Sequence, residues 1–66
     1  MDEIIQKLSD EHGQALLDYY YADAVCANDP SPQAVAALQQ AFARREQAGQ
    51  NLAIACASYV NAHKLR

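Results

Sequence analysis

Sixty-six residues allow one domain at most, and so short a domain usually relies on disulfides, a metal or a partner to complete its stability. A net charge of −3 offers no general basic surface, which argues against nucleic acid as the default partner. The two cysteines, Cys26 and Cys56, form no CxxC pair and have no histidine at zinc-ligand spacing, so neither a metal nor a cofactor is expected.

The chain opens Met1-Asp2-Glu3 with no basic stretch, so no secretory signal is expected. Its longest near-apolar run, Leu52 to Val60, is far short of a membrane span. The expected location is the cytoplasm.

Helix 1 is predicted over about residues 2–27. Ile5, Leu8, His12, Ala15, Tyr19, Ala22 and Cys26 alternate by three and four, the spacing of a coiled-coil seam. A glycine inside a helix costs about 1 kcal/mol relative to alanine, so any break is expected in Asp10-Glu11-His12-Gly13. The turn falls at 28–31, where Asn28-Asp29-Pro30-Ser31-Pro32 interrupts two alanine- and leucine-rich stretches. Ser31 followed by Pro32 reads as an N-cap with proline at the first helical position, and helix 2 is predicted over about 32–64. Its seam is read as Val35, Leu38, Phe42, Arg45, Gly49, Leu52, Cys56, Tyr59 and His63.

Beside that seam, Ala34, Ala41, Ala48, Ala55 and Ala62 recur every seventh residue. Alanine is the best helix former, but such a line also permits close packing of two backbones. The expected fold class is therefore all-α: a two-helix antiparallel hairpin, coiled-coil-like, with an alanine-rich seam. A turn near residues 30–31 makes facing residue numbers sum to about 61, which sets Tyr19 near Phe42 and Gly13 at the level of Gly49. Cys26 and Cys56 then lie on the order of 30 Å apart, beyond the roughly 7 Å Cα separation that a disulfide tolerates. Both are expected to be small buried hydrophobes.

Charge divides along the chain. Residues 1–30 carry seven acids and one base, giving −6; residues 31–66 carry four bases and one acid, giving +3. Attraction between the packed helices and matching of the helix dipoles both account for this. Arg45 on the seam is expected to pair with Asp18 or Glu11 across the hairpin.

No catalytic constellation is found. His12 and His63 are the only histidines and fall at different levels; the acids Asp10, Glu11, Asp18 and Asp23 point around helix 1 as a solvated face. There is no Gly-rich phosphate loop, GxSxG, HExxH or EF-hand loop, and the chain is not expected to be an enzyme.

One seam does not hide all the apolar residues. Tyr19, Tyr20 and Tyr21 span about 200° of helix circumference, so they do not all face helix 2. Leu17, Tyr20, Tyr21 and Ala24 make a second stripe at i, i+3, i+4, i+7 spacing; Ala53, Ile54, Ala57 and Val60 also lie off the seam on helix 2. These eight residues are the candidate partner-binding positions, because tyrosines with one wet and one apolar end favour protein interfaces.

The length, the start Asp2-Glu3-Ile4-Ile5-Gln6-Lys7-Leu8, the mid-chain turn, and above all Asn51-Leu52-Ala53-Ile54-Ala55-Cys56-Ala57-Ser58-Tyr59-Val60 resemble the small needle-subunit co-chaperones of bacterial type III secretion systems. The resemblance implies a hairpin that binds and stabilises a larger helical-repeat chaperone. Together the two hold the needle subunit soluble and monomeric in the cytoplasm before export, and the off-seam stripes are the docking surface. Two other readings stand beside it. One is a second copy of the chain as partner, in a self-associating four-helix-bundle adaptor or small phage or plasmid regulatory protein. The other is a small nucleic-acid regulator, for which only Arg44, Arg45, Lys64 and Arg66 would be available in helix 2 and beyond.

Overall fold

The structure, a computed structural model, describes residues 2–64. Helix α1 spans Glu3–Asn28 and helix α2 spans Pro32–Lys64. They pack side by side as an all-α hairpin 54 × 15 × 12 Å in extent.

The ends of the helices follow from local chemistry. Asp2 caps α1: its carboxylate accepts the backbone N–H groups of Ile4 at 2.8 Å and Ile5 at 3.3 Å, and Glu3 adds negative charge in the first turn. At the other end the Asp29 N–H donates to the Val25 carbonyl at 2.9 Å. Pro30 cannot continue the helix. The Ser31 N–H donates to the Asp29 carbonyl at 2.7 Å, and the Ser31 hydroxyl accepts the Ala34 N–H at 3.1 Å, so Ser31 is the N-cap of α2. Pro32 then starts the helix where its missing N–H costs nothing.

Helix α1 runs unbroken through Asp10-Glu11-His12-Gly13, the place where any break was expected. Gln6 donates to Asp10 at 3.0 Å and Gln14 to Asp18 at 3.1 Å, two i, i+4 bonds that brace the turns around the glycine. Gly13 also does not approach Gly49. A Cβ on Gly13 would meet nothing within 4 Å, whereas a Cβ on Gly49 would lie 3.4 Å from His12 Nε2. The close approach is therefore the His12 ring laid against Gly49. That contact and the 6.0 Å separation of the Tyr19 and Phe42 rings put facing numbers at a sum near 61.

The buried core among the described residues consists of Ala15, Ala34 and Ala41. The contact between the helices is centred on the alanine line of α2: Ala34 and Ala41 are buried and Ala48 and Ala55 half-buried, while Ala62 near the open end is exposed. This shifts the seam expected for α2. Leu38, Arg45, Gly49, Leu52 and Cys56 remain half-covered, but Val35, Phe42, Tyr59 and His63 are exposed. The physical reason is the small size of alanine. Backbones approach most closely where side chains are smallest, and that approach rolls α2 until the larger side chains of the neighbouring line stand at its edge.

Cys26 and Cys56 are free thiols and half-buried rather than fully buried. Among the described residues no ion pair joins the two helices. Of the basic residues expected at the end of helix 2, the side chain of Lys64 and the whole of Arg66 lie outside the described part.

Two substitutions test this packing by thermal unfolding followed by circular dichroism. Gly13→Ala should stabilise the hairpin by roughly 0.5–1 kcal/mol, because helix propensity rises and nothing in the chain meets the new methyl. Ala41→Leu, at the most buried position (3% exposed), should destabilise it by about 1–3 kcal/mol through overpacking.

Candidate protein-binding face

The hairpin has two broad faces. On one, Glu11, Gln14, Ala15 and Asp18 of α1 line a shallow groove with Arg44 and Ala48 of α2. The other carries a groove lined by His12 and Leu16 of α1 and by Arg45, Glu46, Gly49, Gln50 and Ala53 of α2. Apolar side chains extend this second face in both directions by helical geometry, with Tyr20, Val35 and Phe42 toward the turn and Val60 toward the open end.

An aromatic run crosses the hairpin in the turn half. The Tyr20 and Tyr19 rings are 6.1 Å apart at 58°, and Tyr19 and Phe42 are 6.0 Å apart at 56°, both tilted arrangements that suit the ring quadrupoles. Arg45 does not reach Asp18 or Glu11. Its guanidinium lies 4.6 Å from the Tyr19 ring centre and 5.0 Å from that of Phe42, and its ion pair is with Glu46 at 3.4 Å. A half-buried guanidinium is weakly hydrated and stacks well on rings, whereas reaching either carboxylate would carry it away from both. The Glu46 pair is surface-exposed and adds little.

The eight positions singled out from the sequence are all exposed, Tyr21 at 74% and Ile54 at 66%. They do not form one patch. Tyr20, Ala53 and Val60 share the apolar broad face; Leu17, Tyr21 and Ala24 lie around the outer side of α1, and Ile54 and Ala57 around the outer side of α2. The α1 group sits in the turn half and the α2 group at the open end, about 24 Å apart along the axis at 1.5 Å per residue. Leu16, Val35 and Phe42 belong to the face and were not among the eight. The alanine line was the signal for the last two: once the closest approach follows Ala34 and Ala41, Val35 and Phe42 must stand outside it.

The histidines do not meet. His12 packs on Gly49, while His63 stacks on Tyr59 at 4.0 Å with Nδ1 2.8 Å from the Tyr59 carbonyl oxygen. Among the described residues no three His, Cys, Asp or Glu side chains come together as a metal-binding group, and no helix is long and apolar enough to cross a membrane. No known protein family, curated protein or solved structure matches the chain.

Arg45→Gln removes the cation from Tyr19 and Phe42 and should lower stability by roughly 0.5–1 kcal/mol in urea unfolding. A variant as stable as the parent would mean that the stacking contributes nothing.

Proposed function

We propose that the chain is a protein-binding helical hairpin without catalytic activity, acting in the cytoplasm as a co-chaperone. The observation that carries this reading is a broad face bearing exposed Tyr20, Phe42 and Val60 on a molecule whose buried core, among the described residues, is three alanines. A chain with so little fully buried apolar surface gains stability from covering that face. Aromatic residues and arginine, here Tyr20, Phe42 and Arg45 grouped together, are the side chains that dominate binding energy at protein interfaces.

The resemblance to the needle-subunit co-chaperones of type III secretion specifies the partner as a larger helical-repeat chaperone. Such a partner presents paired helices, which suit a face made of two antiparallel helices. In this reading the hairpin stabilises the larger chaperone, and that chaperone makes most of the contact with the secreted subunit.

Co-expression with the products of neighbouring genes tests the proposal. A helical-repeat protein should copurify with the chain, and the complex should melt above either component. The double variant Tyr20→Ser/Tyr21→Ser should keep its helical circular dichroism and weaken the complex by about thirtyfold or more, the effect of losing a hot spot. Loss of helicity in that variant would show the tyrosines to be part of the fold and would sink the reading.

A further inference from the structure

We draw no further inference here: the strongest candidate, the broad face carrying exposed Tyr20, Phe42 and Val60, belongs to the site already described, and nothing in the structure shows what covers it.

Discussion

The close approach of the two helices along Ala34 and Ala41 is the contact on which the rest of the molecule depends. Small side chains let the backbones come together, and dispersion between well-packed atoms holds them there. The same choice limits the stabilisation available. Hydrophobic gain scales with the apolar area removed from water, and an alanine methyl removes little compared with leucine or phenylalanine. A tight seam and a thin core are therefore one property seen twice.

The consequences run outward from that seam. With α2 rolled onto its alanines, Val35 and Phe42 stand at the edge of the contact, and Arg45 settles over Tyr19 and Phe42 instead of crossing to a carboxylate. One broad face carries Glu11, Asp18 and Arg44; the other carries the exposed Tyr20, Phe42 and Val60 beside Leu16, Arg45 and Glu46. A surface of the second kind on a small monomer marks an interaction site more often than a neutral feature. Here the face spans both helices, so an occupant of the proposed kind would hold the hairpin closed as well as bind to it. Binding and folding then share the same free energy.

Much of the fold was legible because it is written in local signals. Asn28-Asp29-Pro30-Ser31-Pro32 marks the turn and its N-cap through backbone chemistry that does not depend on the rest of the chain. The three-and-four spacing of Ile5 through Cys26 identified the inner side of α1, every member of which is at least half-buried. The inner side of α2 was harder, because two adjacent lines both keep heptad spacing. Hydrophobicity favours the line with Val35 and Phe42; close packing favours the line with Ala34 and Ala41. Tertiary contact decided for the smaller side chains, and no single-residue propensity expresses that preference. The single span expected for α1 holds through Gly13, the place where any break was expected. A glycine penalty of about 1 kcal/mol is small beside the helix on both sides of it and the amide–carboxylate bonds that bracket it. The eight candidate positions are exposed, as their place off the seam implies, but which residues share one face depended on the rotation of α2 and so was only partly readable.

The central claim is that a hairpin sealed by alanines is left incomplete until its apolar face is covered. Urea unfolding of the free chain across a range of protein concentrations tests it most directly. The account predicts stability below about 5 kcal/mol for the isolated hairpin at high dilution, rising on addition of a binding partner. Stability well above that value, unchanged by dilution or by any partner, would mean that the alanine seam suffices and that the exposed tyrosines and phenylalanine are ordinary surface.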